Sequence, residues 1–98
     1  MRFVWDESKN DRNRREHGVS FEEASTLFAS GHDEYLEIFD ESHSSDEDRF
    51  IAIGPIVRGI VLVVYTQRED DALRIISARW ATKREAEMYR SYVGGRAV

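Results

Sequence analysis

The sequence predicts an α+β domain, in which helices pack against a mostly antiparallel sheet. Residues 60–66 (IVLVVYT) and 73–78 (LRIISA) are rich in aliphatic and β-branched residues, which is typical of buried strands. The connections between the last predicted strands are short, and short connections favour antiparallel pairing. Two capping boxes, which begin at Ser20 and Thr82, mark the starts of helices.

The predicted order of elements is β-α-α-β-β-β-β-α, within one domain that spans residues 1–98. The second helix opens at Ser20 and carries an apolar stripe at helical spacing, which predicts core residues. The last helix is expected to end at Gly94 and Gly95. The remaining predicted elements are a strand at 3–5, a helix at 9–17, strands at 35–39, 50–54, 60–66 and 73–79, and the last helix at 83–92.

The predicted helix at 9–17 contains no aliphatic residue, and Gly18 follows it as the expected C-terminal cap. A helix that is polar on all sides cannot be held by burying an apolar stripe, so we expect its ends and its ion pairs to fix it. The pattern indicates a surface element, either one that takes part in function or one that is merely solvated.

The strand at 73–79 is predicted to be central, because aliphatic residues occur on both of its faces. Alternation places Leu73, Ile75 and Ser77 on one side, and the residues between them on the other. Arg79 ends this strand just before the capping box at Thr82. A forked cation on a rigid strand beside a helix N-terminus suits a phosphate, and it equally suits an ion pair with one of the many carboxylates. Both interpretations remain open.

Composition limits the classes of function. The 98 residues include no Cys, and neither an apolar run long enough to span a membrane nor a signal peptide is present, so we expect a cytoplasmic protein. The net charge of −5 is unevenly distributed: basic residues concentrate at 9–15 and 74–90, and acidic residues at 33–48. A basic surface for nucleic acid therefore remains compatible with the negative sum.

Motifs for metals and cofactors are missing. The three His residues show no metal-binding spacing, the acidic loop at 40–48 lacks the pattern of a calcium loop, and no glycine-rich nucleotide loop occurs, so we predict no metal and no cofactor. Metal-free phosphodiester chemistry needs a base, an acid and cations. The candidate acid–base groups are His17, His43 and Glu47, and the candidate cations are Lys9, Arg49, Arg68 and Arg79. Each candidate also has a plain structural interpretation, and Trp5, Tyr65 and Trp80 are either stacking platforms or packing residues.

Three blocks of sequence resemble the BrnT family of toxins from bacterial type II toxin–antitoxin systems. The blocks are Phe3-x-Trp5-Asp6-x-x-Lys9-x-x-x-Asn13-x-x-x-His17-Gly18-Val19-Ser20-Phe21-x-Glu23-Ala24, then Asp40-x-x-His43-Ser44-x-x-Glu47-x-Arg49 with Gly54, and then Val64-x-Thr66-x-Arg68 with Arg74-Ile75-Ile76-Ser77-Ala78-Arg79, Ala81-Thr82 and Glu85. The resemblance implies a RelE-like fold and a metal-independent ribonuclease. It also implies neutralisation by a BrnA-type antitoxin with a ribbon-helix-helix DNA-binding part, and repression of the operon by the complex, so that DNA is contacted only through the antitoxin.

With this resemblance, roles are predicted for individual residues. The predicted catalytic residues are the cations Arg79, Arg49 and Arg68 and the acid–base candidates His17 and Glu47; the predicted RNA-binding residues are Lys9, Asn13 and Lys83. The chain departs from the family pattern at Glu16 and Trp80, where members often carry a cation or another polar residue. Trp80 is therefore predicted as an anchor for a protein partner. The alternative function is a weakly catalytic or non-catalytic antitoxin-binding module that acts as a co-repressor.

Overall fold

A computed structural model describes residues 1–29, 35–43, 47–68 and 70–96. It confirms the predicted α+β class and the order of elements. The elements are β1 (Arg2–Val4), α1 (Glu7–His17), α2 (Phe21–Ala29), β2 (Leu36–Phe39), a short 3-10 turn (Glu41–His43), β3 (Phe50–Ile56), β4 (Gly59–Gln67), β5 (Ala72–Trp80) and α3 (Lys83–Arg96).

The described strands form one sheet with the order β1-β5-β4-β3-β2. Strand β1 pairs with β5 in parallel, and the other neighbours pair antiparallel. Helices α1 and α2 cover one face, which we call the two-helix face. Helix α3 packs on the opposite face over β2 and β3, around Ile53, Leu62 and Tyr89. Helix α3 also covers Leu62 of β4, so we call the part of this second face formed by β5 and β1 the open face.

The main core lies under the two-helix face. The apolar stripe predicted for α2 is buried there, together with side chains from three strands: Phe21, Ala24, Leu27, Ala52, Val61, Val63, Tyr65, Leu73, Ile75 and Ala78. Phe28 packs edge-on against Tyr65, with ring centroids 5.0 Å apart. Burial of these aliphatic and aromatic groups is the main favourable term that fixes the sheet against the two helices.

The expected caps and an ion pair are present in the all-polar helix α1: Asp6 accepts the first backbone N–H groups, Gly18 is left-handed at the other end, and Arg14 pairs with Asp11. Two buried asparagines, which were not expected, hold the helix in addition. The Asn10 amide nitrogen donates to Glu22 (2.7 Å), and its oxygen accepts the backbone N–H of Phe21 (2.8 Å) at the start of α2. The Asn13 nitrogen donates to the carbonyls of Val19 (2.9 Å) and Ala78 (2.6 Å). These amides satisfy backbone groups that burial would otherwise leave unpaired.

A β-bulge in β5 overturns the simple alternation predicted for this strand. Val64 pairs with Ser77, whereas the next residue, Tyr65, pairs with Ile75, so that Ile76 is the extra residue. Beyond this point the faces exchange: Ala78 joins Leu73 and Ile75 in the core, while Ser77 turns to the open face. A bulge reverses alternation because two residues oppose one partner residue.

Helix α3 also differs from its prediction, since it continues through Gly94 and Gly95 to Arg96. A side-chain carbon at either glycine would meet nothing within 4 Å, and the left-handed conformation is found at Gly18 instead. The start of α3 is as predicted. The backbone N–H of Thr82 donates to the Glu85 carboxylate (2.9 Å), and the N–H of Glu85 donates to the Thr82 hydroxyl (3.2 Å), which is a complete capping box.

Candidate active site

An open groove of about 660 Å³ lies where β4 passes into β5. A neighbouring pocket of about 330 Å³ shares Val4 and Arg68 with it, and we call the two pockets together the groove. Its lining combines cations and carboxylates: Arg2, Val4, Trp5, Asp6, Glu47, Gln67, Arg68, Asp70, Ala72 and Arg74.

Three strands supply the cations of the groove. Arg68 follows the end of β4, Arg2 lies on β1, and Arg74 lies on β5, paired across the sheet with Thr66 and Val4. Arg2 forms an ion pair with Asp70, but both side chains are well exposed, so this pair contributes little to stability. The sheet therefore holds three guanidinium groups around two neighbouring pockets, and Arg68 lines both of them.

Arg49 lies beside this group along the sheet. It immediately precedes Phe50, which pairs with Tyr65, so the register places Arg49 next to Thr66 and across it from Arg74. The Arg49 carbonyl accepts the backbone N–H of Asp40 (2.9 Å). The Thr66 hydroxyl is buried and has no hydrogen-bond partner among the described residues. Two arginines thus flank an unsatisfied hydroxyl in the sheet next to the groove.

Glu47 and Arg68, which were predicted as catalytic residues from separate parts of the sequence, line the same groove. Both side chains are exposed. A carboxylate can accept a proton from a hydroxyl group, and a guanidinium can stabilise negative charge that develops on a phosphate. The groove therefore brings together a base and cations, which are two of the components that metal-free phosphodiester chemistry requires.

Arg79 adopts the ion-paired arrangement that sequence left open. Its two terminal nitrogens donate to the two oxygens of Glu85 at 2.8 and 2.9 Å. These hydrogen bonds, chiefly, lower the pKa of Glu85 to about 2, against the opposing effect of its partial burial. Arg79 also donates to the carbonyl of Trp80 (3.3 Å). The capping box of α3 thereby fixes the guanidinium at the end of β5.

Lys9 and His17, which were also predicted as site residues, lie near opposite ends of α1. Lys9 is exposed in the first turn, which follows Trp5 and Asp6 of the groove, whereas His17 is exposed in the last residue of the helix. Lys9 and His17 are eight positions apart along the helix, which corresponds to about 12 Å. Lys83 is exposed at the start of α3, beyond Arg79. The structure thus gathers Glu47 and Arg68 in the groove but not His17 or Lys83.

Asn13 differs from the other predicted RNA-binding residues because it is buried and its amide is fully engaged. Besides donating to two carbonyls, its side-chain oxygen accepts the backbone N–H of Ala78 (3.2 Å). A direct contact with RNA would require these bonds to break. We therefore interpret Asn13 as a residue that secures α1 to β5, and not as a residue that contacts RNA.

Trp80 is half-buried on the two-helix face and packs beside the main core. The guanidinium carbon of Arg58 lies 5.0 Å from its ring centroid, and Arg58 also donates to the Gly18 carbonyl (2.7 Å) and to Glu23 (2.7 Å). Gly59, which has a φ of +156°, lies directly against the ring, where a side-chain carbon would approach to 3.4 Å. Trp80 therefore joins the end of α1 to the β3–β4 turn, with only part of its surface available to a partner.

Two of the aromatic residues considered as stacking platforms are engaged within the fold. The Tyr65 hydroxyl donates to the Glu37 carboxylate, and burial raises the pKa of Tyr65 well above its usual value. Trp5 donates to Glu7 (3.0 Å), although it also lines the groove.

Sequence reasoning missed Arg2 and Arg74 as groove residues. The available signal was a charged residue just before the predicted strand at 3–5 and another within the strand at 73–79, but their proximity depends on the pairing of β1 with β5.

No group of three metal-ligating side chains occurs among the described residues, and residues 44–46 of the acidic loop lie outside them. In the same described ranges, no helix has the length and apolar character needed to cross a membrane.

Comparisons with known proteins agree on one family. The family model described as "Ribonuclease toxin, BrnT, of type II toxin-antitoxin system" matches residues 5–85. The fold is similar to the crystal structure of the Brucella abortus ribonuclease toxin BrnT, with a TM-score of 0.67 and 27% sequence identity over 85% of this chain and 99% of that one. Comparison with curated proteins gives no significant match. Because the family model covers most of the sequence, the chain belongs to the BrnT family of ribonuclease toxins of type II toxin–antitoxin systems.

Proposed function

We propose that this chain is a metal-independent endoribonuclease whose active site is the groove between β4 and β5. The observation that carries the proposal is that Glu47, Arg68 and Arg2 line one pocket, and that Arg68 also lines the neighbouring pocket with Arg74. Family membership supports RNA as the substrate, and the groove residues support the chemistry.

The proposed reaction is attack of a ribose 2′-hydroxyl on the adjacent phosphate. Glu47 accepts the 2′-hydroxyl proton, the bond from the 2′-oxygen to phosphorus forms, and the bond from phosphorus to the 5′-oxygen breaks. Arg68 and Arg74 stabilise the extra negative charge on the phosphate oxygens. The leaving 5′-oxygen takes a proton from solvent, which reaches the site because the groove is open.

Metal independence follows from how the charge is stabilised in this proposal. A divalent cation commonly neutralises the phosphate in nucleases. Here the guanidinium groups supply that positive charge, and arginine matches the geometry of phosphate oxygens with its forked donors. Arg49 and Arg79 contribute further positive charge on either side of the groove, and Lys9 and Lys83 make weaker contacts with the RNA backbone.

Membership of a type II toxin family implies an antitoxin partner. We propose a BrnA-type antitoxin with a ribbon-helix-helix part, which neutralises the chain in the cytoplasm and contacts DNA in a complex that represses the operon. Trp80 is proposed to offer its remaining exposed surface to this partner, because partly exposed aromatic side chains are frequent anchors of protein interfaces.

The alternative, a weakly catalytic antitoxin-binding co-repressor, is favoured by the pairing of two candidate cations with carboxylates. Arg79 is engaged by Glu85, and Arg2 by Asp70. Both pairs lower the net positive charge that the open face presents to RNA.

Induction of the chain in bacteria without antitoxin separates the two functions. The wild type and Arg90→Ala, a matched control on the exposed side of α3, should arrest growth, whereas Glu47→Gln and Arg68→Ala should permit it. Co-purification with the antitoxin should be retained by every variant. Normal growth with the wild type at high expression would favour the co-repressor, and growth arrest by Arg68→Ala would remove Arg68 from the site.

A further inference from the structure

The bulge in β5 changes which arginines share a face. In a regular strand Arg74 and Arg79, five residues apart, would point to opposite sides. Their partners on β4 are Thr66 and Leu62, which are only four residues apart, because Ile76 is the extra residue of the bulge. An even spacing on the regular strand β4 places both arginines on the same face of the sheet, the open face.

Arg74 and Arg79 lie at the two ends of a short stretch of β5 on this face, which we call the track. Four residues of β4 correspond to about 14 Å between them. Half-buried Ser77 lies on this face between them, and it is paired with Val64. Helix α3 packs on β2, β3 and Leu62 of β4, whereas Arg74, Ser77 and Arg79 of β5 remain partly exposed on this face.

Arg79 keeps donors available along this track despite its ion pair. A guanidinium has five N–H donors. Glu85 takes one from each terminal nitrogen, and the Trp80 carbonyl takes one more. The Nε–H and one terminal N–H have no partner among the described residues, and these two donors form the side edge of the fork. The Arg79 side chain is 39% exposed, so the free edge can meet a phosphate while Glu85 holds the other edge.

We propose that Arg74 and Arg79 form a two-point phosphate clamp that holds a single RNA strand along β5, across the open face. The inference rests on the proposed function for the choice of RNA as the ligand. Two cations about 14 Å apart on one straight line match phosphates separated by roughly two to four nucleotides of one strand. Glu85 is a positioning residue in this clamp, because its two hydrogen bonds orient Arg79.

The clamp predicts that affinity depends on RNA length. A dinucleotide reaches the groove and Arg74 but not Arg79, whereas an eight-nucleotide strand spans both. The probes are oligouridines with 2′-O-methyl groups, which cannot undergo attack by the 2′-oxygen, and binding is measured by titration with NMR and by fluorescence anisotropy. Arg79→Ala should weaken the eight-nucleotide probe about tenfold and leave the dinucleotide unchanged, whereas Arg74→Ala should weaken both.

A second variant distinguishes loss of the clamp from loss of folded structure in Arg79→Ala. Ser77→Glu places a negative charge midway along the track without touching the Arg79–Glu85 pair, and it should also weaken only the longer probe. Arg90→Ala is the control, and it should bind both probes as the wild type does.

Equal binding of the longer probe by the wild type, Arg79→Ala and Ser77→Glu would overturn the clamp. Tighter binding of an eight-base-pair duplex than of the single strand would also overturn it. Binding without cleavage of ordinary RNA would leave the clamp intact and contradict the proposed nuclease. Absence of binding to every RNA probe would contradict both.

Discussion

At the scale of single residues, Asn13 shows how one side chain can complete a sheet. Strand β1 pairs with β5 only as far as Arg74. Farther along the same edge of β5, the Asn13 amide exchanges hydrogen bonds with both the N–H and the carbonyl of Ala78. The side chain therefore does for Ala78 what a neighbouring strand would do, and its hydrogen bonds tie α1 to the sheet.

We expect Asn13→Ala to lower the free energy of unfolding by about 2–4 kcal/mol, because it leaves buried backbone groups of Val19 and Ala78 without partners. Urea denaturation followed by circular dichroism measures the change. Arg12→Ala, on the exposed side of the same helix, is the control and should change the stability by less than about 0.5 kcal/mol. An Asn13→Ala protein as stable as that control would contradict the assigned structural role.

At the scale of elements, the pair of Arg79 and Glu85 joins the end of β5 to the first turn of α3. Glu85 is 21% exposed and accepts three hydrogen bonds, from Arg79 twice and from the backbone of Thr82. The same carboxylate thus caps a helix and orients a cation of the open face. Stability and the proposed RNA binding therefore share one side chain.

The pair also predicts a dependence of stability on pH. The pKa of Glu85 is lowered from 4.5 to about 2 in the folded protein, chiefly by its hydrogen bonds to Arg79. A carboxyl group with a depressed pKa stabilises the fold above its unfolded pKa, and this contribution is lost as the pH falls from about 4.5 to about 2. Since Arg79 is partly exposed to solvent, we expect a contribution of about 1–2 kcal/mol.

Unfolding curves of the wild type and Glu85→Gln between pH 7 and pH 2 check this expectation. The substituted protein should be less stable at pH 7, and the difference should shrink as the pH falls below about 4.5. Other carboxyl groups titrate in both proteins, so the difference between the two curves is the informative quantity. A difference in stability that stays constant down to pH 2 would show that ionisation of Glu85 does not stabilise the folded protein.

Much of the fold was predictable at this scale because its signals are local. The apolar stripe of α2 and the capping box at Thr82 depend on residues close in sequence, and both predictions are confirmed. The faces of β5 beyond Ile75 were predicted wrongly, since a bulge depends on the register against β4. The end of α3 was also wrong, because glycine is tolerated within a helix as well as after it.

The candidate site was predictable only in part, because it depends on which strands pair with each other. The roles of Glu47 and Arg68 were predicted from residue type and family resemblance, and the structure places both in one groove, although those roles remain predictions. Arg2 and Arg74 reach the groove through the parallel pairing of β1 with β5, which joins residues about 70 positions apart. No pattern within either segment reports that contact.

At the scale of the whole molecule, the distribution of charge matters more than its sum. The chain carries a net charge of −5, yet Arg2, Arg68 and Arg74 line two neighbouring pockets that share Arg68. A local cluster of cations can attract a phosphate backbone when the rest of the surface is acidic, and binding that depends on such a cluster weakens as salt concentration rises.

The most direct test of the central claim is incubation of the purified chain with total RNA in the presence of EDTA. Wild type and Arg90→Ala should cleave the RNA, whereas Arg68→Ala and Glu47→Gln should be at least about a hundredfold slower, since each loses one component of the proposed chemistry. Arg79→Ala should be slowed as well, through weaker binding of the strand. Cleavage that appears only after Mg²⁺ is restored, or equal cleavage by all variants, would contradict a metal-independent active site in this groove.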